Sequence, residues 1–82
     1  MRLEVLLFAE ARERAGTDRL AIELPDEPAP TAGAVLETLA RQPELAELVP
    51  RCRLAVAHRL AAGSDPVQPG DELALIPPVG GG

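Results

Sequence analysis

The chain has 82 residues, the length of one small domain with a single modest hydrophobic core. Its 46% hydrophobic and 26% charged residues are typical of a globular protein and argue against disordered and membrane-spanning classes. The net charge is −5, from 13 acidic and 8 basic residues, and the arginines form no cluster. We therefore expect neither nucleic acid nor a membrane as a partner.

The first two elements are a strand and a short helix. Branched apolar residues alternate over positions 2–8 and predict a strand with one face toward the core. Its inward positions are Leu3, Val5 and Leu7. Leu6 and Phe8 would point the other way. Residues 9–15 favour a helix, which Gly16 can end in the left-handed conformation common after helices.

A second strand and the main helix come next. Residues 19–24 alternate again and predict a strand, which a proline-rich loop ends. Thr31 is a suitable N-cap, and apolar residues then recur at helical spacing until Pro43. They are Ala32, Val35, Leu36, Leu39 and Ala40. A further helical turn or two over residues 44–48 is expected to lead to Pro50.

Two more strands complete the predicted order. Residues 53–56 and 72–76 have strand alternation, and the segment 63–71 between them has the glycines and prolines of turns. The inward positions of these strands are Leu54, Val56, Leu73 and Leu75. This order predicts the α+β class, with a mixed sheet and the main helix across one face.

The chain has few groups for catalysis or metal binding. Cys52 is the single cysteine and His58 the single histidine, so neither an internal disulfide nor a metal site is expected. A reducing, cytoplasmic location fits, since the first residues lack a secretory signal. The two residues could form a nucleophile and base pair on one face of a strand, but a buried thiol and a rim histidine are the favoured interpretation.

The C-terminal segment is the exception. It reads Ile76-Pro77-Pro78-Val79-Gly80-Gly81-Gly82, in which the prolines favour an extended exit and the glycines lack side chains. Its last six residues span at most roughly 20 Å, enough to carry a terminal carboxylate into a narrow channel. We predict a folded domain over residues 1–78 and a flexible tail over 79–82. A frayed end without function is the alternative.

A carboxylate is a poor electrophile, so a partner would have to activate this terminus. Activation as a mixed anhydride with AMP would allow a sulfur donor to displace AMP. The product, a thiocarboxylate, is a soft nucleophile that could deliver sulfur to a second enzyme.

Large apolar residues are also expected on the outward face. By alternation Phe8 and Ile76 point away from the core, and Leu60, just past the third strand, could join them. If the first and last strands are neighbours, these residues form an exposed patch typical of a docking surface. Alternatively, the short helix or a loop covers one of them.

Several motifs resemble the small subunits of molybdopterin synthase, a family of ubiquitin-like sulfur carriers. They are Leu7-Phe8-Ala9-Glu10-Ala11-Arg12-Glu13, Pro69-Gly70-Asp71-Glu72, Pro77-Pro78-Val79 and Gly81-Gly82. The resemblance implies a β-grasp fold and a subunit that is not catalytic alone. It also implies adenylation by an E1-like adenylyltransferase with ATP, sulfur from a sulfurtransferase, and no permanently bound cofactor. The thiocarboxylate would then convert cyclic pyranopterin monophosphate to molybdopterin in a heterotetramer with the large subunit.

The resemblance also implies roles for single residues. It assigns the sulfur to Gly82, the slim tail to Gly80 and Gly81, and the partner contacts to Phe8, Leu60, Ile76, Pro77, Pro78 and Val79. The chain departs from the family pattern at Ala57, where asparagine is frequent, and at Gly80, where threonine or serine is frequent. Two alternatives stay open, a sulfur carrier for the thiazole of thiamine and a non-covalent interaction module.

Overall fold

The computed structural model describes residues 1–78. Along the chain these form β1 (Arg2–Leu7), α1 (Ala9–Ala15), β2 (Arg19–Glu23), α2 (Ala32–Ala40), a 3₁₀ helix (Val49–Arg51), β3 (Arg53–Val56), β4 (Arg59–Leu60) and β5 (Leu73–Ile76). The strands form one sheet in the order β2-β1-β5-β3-β4. β1 and β5 pair in parallel and the other neighbours pair antiparallel. With α2 across one face, this is a ubiquitin-like β-grasp, and the predicted α+β class is confirmed.

The core lies between the sheet and α2. Alternate residues of the strands and one stripe of α2 are buried in a single cluster. The strand residues are Leu3, Val5, Leu7, Ile22, Leu54, Leu73 and Leu75, and the helix residues are Ala32, Val35 and Leu39. Burying one such leucine or valine contributes about 1.5–3 kcal/mol to the free energy of folding. The alternation predicted for β1, β3 and β5 is thus confirmed, with Val56 partly buried against the same cluster.

The helix ends have local causes that the sequence predicted. The Oγ1 atom of Thr31 accepts a hydrogen bond from the N–H of Ala34 at 3.2 Å, which caps α2. Gly16 takes a left-handed φ of 74° after α1, and its N–H donates to the carbonyl oxygen of Arg12 at 2.9 Å. A side chain at this position would add backbone strain of about 1 kcal/mol.

Two connections differ from the prediction. Residues 44–48 form turns rather than α-helix, and the 3₁₀ helix that follows contains Pro50. Pro50 fits within the 3₁₀ helix because the first positions of a helix need no backbone N–H donor. β4 was not predicted, since two residues are too short to show an alternation.

The central pairing of β1 with β5 determines where the chain leaves the sheet. Leu7 on β1 lies opposite Leu75 on β5. The next residue of each strand, Phe8 and Ile76, therefore emerges at the same end of the sheet. The described chain then ends with Pro77 and Pro78, and the predicted tail over residues 79–82 lies outside the described residues. Neither helix in this part of the chain has the length and apolar character that crossing a bilayer requires.

Candidate docking face of the sheet

An apolar row crosses four strands on the side of the sheet opposite the core. Strand pairing aligns Leu6 on β1, Ala74 on β5, Ala55 on β3 and Leu60 on β4. Residues paired directly across strands share a face. All four therefore point away from α2. We call this surface, with Phe8 and Ile76, the open face.

Phe8 and Ile76 meet at the end of the open face where the chain leaves β5. They line a shallow depression of about 360 Å³ whose other walls are Leu6, Ala55, His58, Glu72 and Ala74. Phe8 is 46% exposed and Leu60 57%, while Ile76 is partly buried. No helix or loop covers Phe8 or Leu60 within residues 1–78, so the patch expected from the alternation is present. Leu60 lies at the sheet edge beside Ala55 rather than in the depression.

Strained backbone lies at both margins of the open face. Ala9, directly after Phe8, has a φ of 48°, and Ala57 and His58 have φ values of 51° and 68°. Ala57 and His58 form the two-residue turn between β3 and β4, which requires left-handed residues and favours Asn-Gly. Left-handed non-glycine residues cost of order 1 kcal/mol each. The absence of asparagine at Ala57 therefore costs stability, although the turn still forms.

One ion pair and one histidine–carboxylate contact border the apolar row. Arg19 Nη1 lies 3.3 Å from Glu4 Oε1, and His58 Nε2 lies 2.8 Å from Glu72 Oε1. These side chains are largely exposed, so each pair contributes at most about 1 kcal/mol to stability. Arg19 thereby compensates the charge of Glu4, whereas the His58 contact compensates that of Glu72 only when the imidazole is protonated.

The possible nucleophile and base pair does not form. Cys52 is only 8% exposed, and its Sγ–H donates to the carbonyl oxygen of Leu48 at 3.4 Å. Burial raises the pKa of the Cys52 thiol, against an opposing effect of the nearby Arg51 charge. His58 is 83% exposed and pairs with Glu72 at the open face instead. A buried thiol with a raised pKa is a poor nucleophile, so the favoured interpretation is confirmed.

The sequence-predicted site is therefore only partly described. Phe8, Ile76 and Leu60 lie on the open face, Pro77 is partly buried and Pro78 is exposed. The remaining site residues, Val79, Gly80, Gly81 and Gly82, lie outside the described residues. Among residues 1–78, no three histidine, cysteine or acidic side chains gather as a metal site would require. The chemistry assigned to Gly82 stays a prediction.

Sequence reasoning missed the floor of the depression. Ala55 and Ala74 face outward on β3 and β5 by the same alternation that buries Leu54 and Leu75. An outward alanine is a weak signal by itself. Ala55 and Ala74 are recognised as part of the open face only when strand pairing places them between Phe8 and Leu60.

The geometry agrees with the comparisons to known proteins. A family model described as the ThiS family matches residues 5–82. The chain belongs to the ThiS family. The chain is also 42% identical to the molybdopterin synthase sulfur carrier subunit of Haemophilus influenzae, over 98% of this chain and 99% of that protein.

Two solved structures have the same fold. The small archaeal modifier protein 1 of Haloferax volcanii superposes with a TM-score of 0.78 at 26% identity, over 95% of this chain and 98% of that one. A second solved structure is the complex of subunits 1 and 2 of the molybdopterin-converting factor from Helicobacter pylori. One chain of that complex superposes with a TM-score of 0.71 at 25% identity, over the whole of both chains. That neighbour was solved together with its partner subunit.

Proposed function

We propose that this chain is the sulfur-carrier subunit of a molybdopterin synthase and that Gly82 carries the sulfur as a C-terminal thiocarboxylate. One observation carries the proposal: in a chain of the ThiS family, residues 1–78 leave an apolar face uncovered at the C-terminal end of β5, four residues short of the glycine-rich end of the sequence. The H. influenzae relative bears the molybdopterin synthase name, which favours this pathway over the thiazole of thiamine.

The chemistry takes place in the partners. An E1-like adenylyltransferase joins the Gly82 carboxylate to the AMP part of ATP and releases pyrophosphate. The persulfide of a sulfurtransferase then displaces AMP, and a thiol reductant cleaves the resulting acyl disulfide to leave the thiocarboxylate. In the large subunit the thiocarboxylate sulfur bonds to cyclic pyranopterin monophosphate, and water then cleaves the acyl–sulfur bond and restores the Gly82 carboxylate. This chain's own contribution is to dock and to present the terminus, so it is not catalytic alone and keeps no cofactor.

The open face supplies the docking. Phe8 and Leu60 are about half exposed, and covering such side chains contributes on the order of 1 kcal/mol each to association. The H. pylori complex of subunits 1 and 2 supports a role for this fold in a stable assembly. We propose a cytoplasmic heterotetramer with two copies each of the large and small subunits.

Deletion of Gly82 tests the carrier chemistry. We expect unchanged folding, because a terminal residue contributes little to stability, and complete loss of sulfur transfer. Intact mass after incubation with activating enzyme, ATP and a sulfur donor should show an oxygen-for-sulfur exchange in the full chain and none in the variant. Gly80→Thr serves as the control and should retain the exchange. Continued molybdopterin synthesis by the deletion variant would contradict the proposal.

Phe8→Asp tests the docking. A charge buried without a partner at the centre of an interface should raise the Kd for the large subunit at least about 30-fold. Ala29→Asp is the matched control, because it adds the same charge at an exposed position in the loop before α2. Titration calorimetry measures both affinities. Equal affinity for the two variants would place the docking surface elsewhere.

A second candidate function is protein modification, which the likeness to small archaeal modifier protein 1 favours. The same activated Gly82 would then acylate a lysine amine of a target protein. This chain contains no lysine, so it could not accept a further copy on a side chain. Expression of a tagged chain with its activating enzyme separates the two. Conjugates that survive reducing agents support modification, whereas a free thiocarboxylate supports the sulfur carrier.

A further inference from the structure

The charges around the open face are compensated unevenly. On the side away from Ile76, Arg19 pairs with Glu4 and His58 pairs with Glu72. The Arg19 guanidinium and the His58 imidazole therefore each have a carboxylate partner within the same chain. A partner that covers Arg19 and His58 meets side chains that already have a carboxylate partner within this chain.

Arg53 lies at the other side of the open face and differs from these two residues. It is the direct cross-strand partner of Ile76, so its side chain emerges from the same face, next to the point where the chain leaves β5. Arg53 is exposed. The ion pairs within 4.0 Å among residues 1–78 do not include it. Among the described residues this cation therefore has no carboxylate partner, in a chain whose net charge is −5.

We propose that Arg53 binds an aspartate or glutamate carboxylate of the large synthase subunit, on the rim of the opening that receives the tail. This inference rests on the proposed docking of the open face and adds the charge that the partner must present. A guanidinium binds a carboxylate through two parallel hydrogen bonds, which fixes orientation as well as distance. Arg53 and Phe8 flank Ile76 from opposite sides, so contacts at both would fix how the domain is rotated on its partner.

The position of Arg53 also determines how the contact acts. A charge pair on the rim of an interface mainly accelerates association and selects the partner, and salt screens it. Apolar contacts such as that of Phe8 act mainly on dissociation and are much less sensitive to salt. The two contributions can therefore be separated by measuring association rates at two ionic strengths.

The test compares Arg53→Glu with Arg59→Glu in the full chain. Arg59 pairs with Val56, whose side chain faces the core, so Arg59 lies on the opposite face of the sheet, beside the turn between β3 and β4. The two reversals change the net charge equally. With immobilised large subunit, Arg53→Glu should lower the association rate constant about tenfold at low salt, and the loss should shrink toward about 1 M salt. Arg59→Glu should stay within about twofold of the unaltered chain.

Further outcomes decide between the claims. Equal slowing by Arg53→Glu and Arg59→Glu would show that only net charge matters and would overturn the inference. Unimpaired binding of Phe8→Asp would overturn the docking face itself, and the inference with it. Arg53→Gln removes the charge but keeps a hydrogen-bonding side chain, and it should slow association about threefold. This variant replaces Arg53→Glu in the test if Arg53→Glu destabilises the folded protein. If Arg53→Gln then associates with the large subunit as fast as the unaltered chain, the carboxylate contact is also rejected.

Discussion

The two faces of the central strands use neighbouring residues for opposite purposes. On β5, Leu75 is fully buried beneath α2, while Ile76 lines the depression on the open face. At the end of β1, Leu7 is 1% exposed and Phe8 is 46% exposed. One step along the chain moves a side chain to the other face of a sheet. Residues of similar size and hydrophobicity thus stabilise the fold on one face and, in our proposal, bind a partner on the other.

Leu75→Ala gives the largest expected effect on stability. Leu75 is fully buried at the centre of the sheet, so its truncation removes apolar contacts and leaves a cavity. We expect the free energy of unfolding to fall by about 3 kcal/mol. Urea denaturation followed by circular dichroism measures this change. If the free energy of unfolding falls by less than about 1 kcal/mol, the core repacks around the truncated side chain, and the buried face does not stabilise the fold more than the open face does.

Ile76→Ala is the matched variant on the open face. Ile76 is only partly buried, and its loss should lower the free energy of unfolding by no more than about 1 kcal/mol. Its affinity for the large subunit should nevertheless fall about tenfold, because its apolar contact with the partner is lost. If Ile76→Ala unfolds as readily as Leu75→Ala and binds normally, the separation of stability from docking is wrong.

The single cysteine and histidine offer a chemical comparison of the two faces. Cys52 is buried on the core side and should react with iodoacetamide at least about tenfold more slowly in the folded protein than in urea. His58 on the open face should react readily with diethyl pyrocarbonate without unfolding. Fast alkylation of Cys52 in the folded chain would show that the core side opens locally.

The pH dependence of stability gives the smallest expected effect. Burial raises the pKa of the folded Cys52 thiol above its ordinary value of 9.0, so the folded state holds this proton more tightly than the unfolded state. The resulting stability is fully present below pH 9.0 and is lost as the pH rises through the folded pKa. Cys52→Ala should remove this alkaline loss. If the unaltered chain and Cys52→Ala lose stability equally as the pH rises above 9.0, the alkaline loss does not come from Cys52.

Local patterns predicted the buried side of the molecule well. Alternation identified the inward residues of β1, β3 and β5, and the caps at Thr31 and Gly16 follow from side-chain and backbone chemistry at single positions. The helical turns expected over residues 44–48 were wrong and β4 was missed, because such short segments show too little periodicity to specify their geometry.

The open face was predicted less completely, for physical reasons. Alternation placed Phe8 and Ile76 on the outward side, but their proximity depends on the long-range pairing of β1 with β5, which no local pattern encodes. Leu60 lies on a strand of two residues and shows no period. Arg53 has the appearance of any solvated charge until the sheet places it opposite Ile76.

The parallel pairing of the first and last strands has a consequence for synthesis. Because β5 lies between β1 and β3, a chain that stops before Leu73 lacks the middle of its sheet, and the contacts that join its two halves never form. Such a fragment would have no stable core to hold Phe8 in place. Fragments that lack β5 therefore make poor competitors for the large subunit, and the docking face exists only on chains that have been translated past Ile76.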